Sequence, residues 1–268
     1  MAKIFAVVNQ KGGVGKTTTV VNLGAALASF YRQKVLLVDL DGQANLTISL
    51  GVPIDGSLPT IYEVLKGEKT INQIIRQRKP LYLAPANLSM TAIDVELASK
   101  IGRELLLKNA LAEVSSKFDW IFCDCPPSLG VATFNALVAA EKALLILEPE
   151  YLALQGTKKI LENVEVIKDI LNSKLDIGGV LINKYDRRRK LTFEVEKIIR
   201  DFFGEAVLKT TIGENVDLAE APSYQKTILE YSHKSSGAKD FKKLAKELME
   251  KFKEKKRTST AKTHTSPS

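Results

Sequence analysis

The chain holds 268 residues, 45% of them hydrophobic, with a formal net charge of +8, two cysteines and two histidines. That length and apolar content bury a substantial core without a disulfide or metal staple, and so few cysteines and histidines argue against a metal cluster. No apolar run approaches the ~20 residues of a membrane span, and Met1-Ala2-Lys3 leads straight into an apolar stretch, which argues against a signal peptide and against a DNA-reading module ahead of it.

Residues 4–8, Ile-Phe-Ala-Val-Val, predict a strand, and residues 20–28 predict a helix of small and apolar residues packed on a sheet. Between them lies Gln10-Lys-Gly-Gly-Val-Gly-Lys-Thr-Thr-Thr19. Strand, glycine-rich turn, Gly-Lys-Thr and helix is the context of a phosphate-binding loop. Gly12, Gly13 and Gly15 let the backbone turn tightly so that successive N–H groups converge on an anion, and the helix adds its N-terminal partial positive charge. Lys16 is placed to reach the β- and γ-phosphates and the Thr17 hydroxyl to ligate Mg²⁺. Lys11, Gly12, Gly13, Val14, Gly15, Lys16, Thr17 and Thr18 are the expected nucleotide contacts of this loop.

Residues 34–39 predict a second strand, buried on both faces, that ends on Asp39 and is followed by Asp41. Carboxylates at the carboxyl end of a parallel strand face the ligand crevice of an open α/β sheet. Residues 51–59 form a Pro/Gly/Asp-rich loop, short helices are expected around Ile61 and Ile71, a short strand at 81–86, and a helix from 97 through 114, all as packing. Residues 118–124 form another buried strand, closing on Asp124, and an acid in that place holds Mg²⁺ in a Walker B element. Cys123 and Cys125 are expected on opposite faces of this strand as free thiols, which suits a reducing cytoplasm.

Strands at 142–149 and 177–183 flank an amphipathic helix with Leu154, Ile160, Leu161, Val164, Ile167, Ile170 and Leu171 at helical spacing. Strands alternating with helices imply a doubly wound α/β fold, a mostly parallel sheet with helices on both faces. Asn183-Lys-Tyr-Asp186 spells the Asn-Lys-x-Asp with which small GTPases read guanine. Arg187, Arg188, Arg189 and Lys190 then open a helix, where cations oppose the dipole and are either a solvated run or contacts for a phosphate backbone. A last helix, from Asp240 to about Lys253, sets Phe241, Leu244, Ala245, Leu248 and Phe252 on one face, as core or as a membrane-surface stripe. Between Lys234 and Ser268 there are 11 basic and 4 acidic residues, so most of the charge excess sits at this end. A single domain is expected over 1–254, with a basic, Ser/Thr-rich, disordered tail over 255–268.

Lys11 stands where an ordinary Walker A loop requires no charge, and Lys11-Gly-Gly-Val-Gly-Lys-Thr-Thr18 resembles the deviant Walker A box of the ParA/MinD family of P-loop ATPases. Asp39-Leu-Asp-Gly-Gln-Ala-Asn45 resembles the family's switch, Asp-x-Asp-Pro-Gln-x-Asn, with Gly42 in the place of the usual proline. Asp124-Cys-Pro-Pro resembles its Asp-x-Pro-Pro. The run 210–223, ending Glu220-Ala-Pro-Ser223, resembles the Soj/ParA hallmark, although Gly213, Glu214 and Asp217 stand where many relatives have Pro, Arg and Arg. The four segments follow the family's order over residues 2–250.

The resemblance implies an ATPase that binds Mg·ATP, pairs as a homodimer with nucleotide between the subunits, and hydrolyses slowly until a partner stimulates it. In such a dimer Lys11 reaches the other subunit's phosphates, Asp41 orients or activates the attacking water, and Asp39, with Thr17 and Asp124, serves the metal. Asn183 lies near the base, and adenine is favoured over guanine because the loop and switch outweigh a four-residue match. Non-specific DNA is the implied polyanion, with Arg187, Arg188, Arg189, Lys190, Lys226 and Lys243 as candidate contacts. A ParB-like centromere-binding protein or another adaptor is the implied stimulator, and the nucleoid in the cytoplasm the implied location. A MinD-like membrane cycle and the positioning of a protein assembly are the alternatives.

Overall fold

Strands that read as unbroken apolar runs are those covered on both faces. Trp-Ile-Phe-Cys-Asp, β5 (Trp120–Asp124), is buried at every residue, as is β2 (Val35–Asp39). With β1 (Lys3–Val8), β3 (Arg76–Arg78), β4 (Leu81–Ala84), β6 (Lys142–Leu147) and β7 (Asp176–Ile182), they make one seven-stranded sheet in the order β3-β4-β2-β5-β1-β6-β7. All neighbours are parallel except β3, which runs antiparallel to β4. This computed structural model describes residues 1–150 and 154–260, with residues 155 and 254–260 as backbone alone.

Side chains alternate across the sheet and feed two cores. On one face Phe5, Trp120 and Phe122 meet Phe252, with Phe5–Phe252 centroids 5.2 Å apart edge to face. That face is covered by α1 (Lys16–Tyr31) and by the helix that becomes α5 (Ser236–Thr260). On the other, Ile121, Cys123 and Leu145 pack under α2 (Val131–Ala139), α3 (Gln155–Ile170) and α4 (Lys190–Phe203). Helices on both faces of a mostly parallel sheet are the expected architecture.

The stripe Phe241, Leu244, Ala245, Leu248 and Phe252 of α5 is buried against the sheet. Burying an aromatic or leucine side chain is worth roughly 1.5–3 kcal/mol each, so these residues are committed to the core and not to a membrane surface. Among the described residues no helix is long and apolar enough to cross a membrane.

Three local expectations need correction, and one strand was not foreseen. Cys123 and Cys125 share one core instead of opposite faces, both as free thiols, because residues two apart in an extended chain point the same way. The helix expected over 97–114 is broken: Gly102 takes φ 73°, and a 3₁₀ turn at Arg103–Leu105 leads into a helix only at Leu106–Ala112. The polar edge strand Arg76–Arg78 has no apolar alternation to announce it. Helix α5 begins at Ser236, ahead of Asp240, and its backbone continues to Thr260, into the expected tail; the remaining tail residues, 261–268, lie outside the described residues.

Candidate functional site

β1 lies between β5 and β6, and β2 is on the far side of β5, so the carboxyl ends of β1, β2 and β5 open on one crevice. The loop after β1 enters α1 through Gly15, whose φ of 89° is left-handed. A side chain there would also collide with Asn183 Nδ2, which donates to Val14 O at 2.7 Å from the end of β7. Glycine is therefore required at 15 on two counts. Thr19 Oγ1 donates back to Gly15 O at 2.8 Å, fixing the first turn of the helix.

Lys16 is buried, its Nζ donating to Lys11 O at 3.4 Å, so the ammonium folds back over the loop. Burial lowers its pKa, a pull opposed first by the charge of Asp124. Thr17 Oγ1 donates to Asp124 Oδ2 at 2.6 Å, whereas Asp124 Oδ1 is buried and accepts no hydrogen bond. Gln10 Nε2, at the head of the loop, is the other buried side-chain polar atom without a partner among the described residues. Two orphaned polar atoms flanking one loop mark a site built around a ligand, since such atoms cost free energy when left alone.

Asp39 and Asp124 are register partners across β2 and β5. Burial pushes the Asp124 carboxyl up to about 8, with Asp39 as the next contributor. Asp39 is raised less, to about 6, because burial is opposed by Thr47 and by the Asp41 N–H. Its Oδ2 accepts from Thr47 Oγ1 at 2.7 Å and Thr47 N at 2.9 Å, and its Oδ1 from Asp41 N at 3.2 Å. Asp39 thus ties the segment after β2 into place. Asp41 is half-buried and close enough for its charge to act on both Lys16 and Asp124. Ala44, past the turn at Gly42 and Gln43, sits at φ 51°, a local strain in the same segment.

The site fits Mg²⁺ as donor chemistry. The Thr17 hydroxyl and the bare oxygen of Asp124 are hard oxygen donors, suited to an ion that takes one or two protein ligands and completes its shell with water and phosphate. No group of three or more His, Cys, Asp or Glu that would cage a metal by itself occurs among the described residues.

Lys11 lies at the rim, half-exposed, with Nζ 2.6 Å from Glu148 Oε2 and 2.7 Å from Glu150 Oε2. Lys184 Nζ reaches the other Glu148 oxygen at 2.6 Å. Burial of Glu148 is outweighed by its hydrogen bonds from Lys11 and Lys184, which hold its carboxyl below the usual range. The two glutamates were missed in the sequence, although Glu148 carries the signal that found Asp39 and Asp124, an acid just after a buried strand.

A cavity of about 320 Å³ beside the loop is lined by Gly15, Thr18, Asn183, Gly213, Asn215 and Val216 among others. The segment behind it is held to β7 by Ile212 N donating to Ile182 O at 3.0 Å and Tyr185 N to Ile212 O at 2.9 Å. Asp186 lines a different cavity, on the Lys11 side. Its carboxylate is taken by Arg188 Nε at 2.9 Å and Nη2 at 3.0 Å and by Arg189 Nε at 3.2 Å, and Arg188 foremost drives its pKa down to about 2. The Asn-Lys-x-Asp acid therefore does not face the cavity beside Asn183. Of the candidate DNA contacts, Arg187, Arg188 and Arg189 are exposed before α4 and Lys190 is exposed at its first position, Lys226 is exposed between Gln225 and Thr227, and Lys243 is exposed on α5, 3.6 Å from Asp240.

A mostly parallel sheet with a glycine loop between an inner strand and a helix, a buried lysine in that loop and a hydroxyl–carboxylate pair beside it defines a P-loop nucleotide-binding protein. The AAA domain family matches residues 2–177. The chromosome-partitioning ATPase Soj of Treponema pallidum is 43% identical over 251 residues, 93% of this chain and 98% of that protein. The sporulation initiation inhibitor protein Soj of Bacillus subtilis is 42% identical over 250 residues, 92% of this chain and 98% of that one. Among solved structures, cobyrinic acid a,c-diamide synthase of Mycobacterium smegmatis with bound ATP analog and magnesium superposes with a TM-score of 0.83 at 35% identity, covering 94% of this chain and 96% of that one. The chain belongs to the Soj/ParA family of chromosome-partitioning P-loop ATPases.

Proposed function

We propose that this chain is a Mg·ATP-driven partition switch that pairs on ATP, binds DNA without sequence preference and is reset when a ParB-like partner stimulates hydrolysis. The observation that carries the reading is the convergence of Lys16, Thr17 and the half-satisfied Asp124 on the loop after β1, with Lys11 poised at its rim.

The loop N–H groups from Gly12 to Thr17 take the phosphates, and Lys16 turns from Lys11 O to the γ-phosphate. Thr17 and Asp124 would hold Mg²⁺, and Asp39 would help hold its water shell while bracing the neighbouring segment. When bound, the ion would supply positive charge against the phosphates. Asp41 orients the attacking water. Lys11 leaves Glu148 and Glu150 and meets the second subunit's phosphates, where a cation offsets charge developing during transfer. Adenine is favoured because Asp186, which would read guanine, is occupied by Arg188 and Arg189. Pairing doubles the basic surface offered to DNA, so affinity rises steeply through counterion release, and the protein acts in the cytoplasm on the nucleoid. The membrane alternative loses its support with the burial of the α5 stripe.

DNA co-sedimentation with ATP tests the reading. Wild type binds, Asp41→Ala stays bound because hydrolysis falls by about 10²–10⁴-fold, and Lys16→Ala does not bind. Equal binding by all three in the absence of nucleotide would remove the switch.

A further inference from the structure

The loops that follow β2 and β5 carry Asp41 and residues 126–130, and both meet one short stretch of chain, residues 86–97. That stretch is anchored from within by Met90, Ile93 and Leu97, all buried. At its start, Ala86 N donates to Thr47 Oγ1 at 2.9 Å, the same hydroxyl that donates to Asp39. Its 3₁₀ turn, Leu88–Ala92, comes up against the β2 loop at Gly42. A Cβ on Gly42 would run into Thr91 Cγ2 and lie 2.9 Å from Thr91 N and 3.3 Å from Thr91 Cα. Thr91 is itself held, its Oγ1 donating to Leu88 O at 2.8 Å.

Three residues on, the same stretch grips the β5 loop. Asp94 Oδ1 accepts from Val131 N, the first residue of α2, at 2.7 Å. A carboxylate there also meets the positive end of that helix. A Cβ on Gly130 would collide with Asp94 Oδ2 and stand 2.8 Å from its Cγ. A glycine in each loop is thus pressed against a side chain of one anchored segment. Gly42 has no left-handed φ to explain it, so close approach is what its position requires. A proline at 42, the residue usual in the family, would bring its Cβ into the same collision with Thr91.

We infer that residues 86–97 are a strut that makes the β2 loop and the β5 loop move together, with Gly42 and Asp94 as positioning residues at its contacts with the two loops. A displacement of Asp41 reaches Thr91 through the close approach that only a glycine at 42 allows, and the turn, anchored by Met90 and Ile93, carries it to Asp94 and so to the entry of α2. Likewise, a shift of residues 126–130 returns to Asp41. The coupling deepens the proposed ATP switch and rests on it for its purpose: whatever Asp41 and Asp124 register of the γ-phosphate becomes one movement of the crevice edge.

Hydrogen–deuterium exchange on the full chain without nucleotide reads the coupling directly, in wild type, Gly42→Ala, Gly42→Ala/Thr91→Gly and Asp94→Ala. Gly42→Ala raises exchange not only at 40–47 but at 126–134, by about twofold or more, the lower bound for residues in direct contact. Thr91→Gly in the same chain returns 126–134 part of the way to wild type, in part only because Thr91 N stays in place. Asp94→Ala reads the strut from the other end, raising exchange at 40–47, and needs no change at Gly42. Exchange in β6 and β7 serves as the control and stays at the wild-type level. Effects confined to the mutated loop, or spread evenly through β6 and β7, overturn the strut. Binding of a fluorescent ATP analogue with Mg²⁺ to wild type is scored separately, so a failure of the ATP reading and a failure of the strut give different results.

Discussion

Asp39 and Asp124 face each other at the ends of neighbouring parallel strands, one oxygen-for-oxygen satisfied and the other half bare. Three donors, from Thr47 and the Asp41 N–H, hold Asp39 near 6, while Asp124, with the Thr17 hydroxyl alone, is pushed to about 8, burial being the leading cause for both. The charge of Asp39 acting on Asp124 and the extra hydrogen bonds to Asp39 separate the two. The pair divides the work: Asp39 braces the segment that carries Asp41, and Asp124 keeps a free oxygen toward the loop.

A pH dependence follows for the protein free of metal and nucleotide. Both acids keep protons in the folded chain that they release when unfolded, so their contribution is fully present below the ordinary carboxylate pKa of about 4 and is lost as pH rises through about 6 and then about 8. In chelator, the thermal midpoint of wild type relative to Asp124→Asn is therefore expected to decline as pH rises through that window. A constant difference between the two proteins would show that Asp124 is ionised throughout.

Lys11 has ion pairs worth little to the fold. Its pair with Glu150 is exposed on both sides, a kind that contributes about 0–1 kcal/mol, and its other partner, Glu148, keeps a second cation in Lys184. Lys11→Ala is expected to leave the melting temperature nearly unchanged, with Glu148 still paired to Lys184, and to leave nucleotide binding by the single subunit in place. ATP-dependent pairing, measured by light scattering after size exclusion, is expected to disappear.

Two glycines of the loop should behave differently. Gly15→Ala places a side chain at φ 89° and against Asn183, and the backbone strain alone costs about 1–3 kcal/mol. Gly12 has nothing within 4 Å of an added Cβ, so Gly12→Ala is expected to stay within about 0.5 kcal/mol of wild type in denaturant unfolding. Calorimetric titration with Mg·ATP should show binding lost for Gly15→Ala.

Asp186→Asn tests the choice of base. With the Asp186 carboxylate committed to Arg188 and Arg189, the preference for ATP over GTP is expected to be unchanged in competition binding. A swing in that preference would place Asp186 at the base.

The sequence by itself determined the loop of residues 10–19, the acids closing the strands and the alternation of strand and helix, because each depends on neighbours within one turn or one strand. It also placed the apolar stripe of α5, whose 3.6-residue spacing is local. Which surface that stripe covers was decided only by the fold, as were the partners of the charges. Lys11 and Glu148 are 137 residues apart, and Asp39 meets Asp124 only because β5 lies between β1 and β2. The fit of Gly42 against Thr91 and of Gly130 against Asp94 is likewise a matter of distances between segments, which no local spacing encodes. Short-range pattern selects the elements; strand order and close packing then select which side chains meet, and at this site the chemistry resides in those meetings.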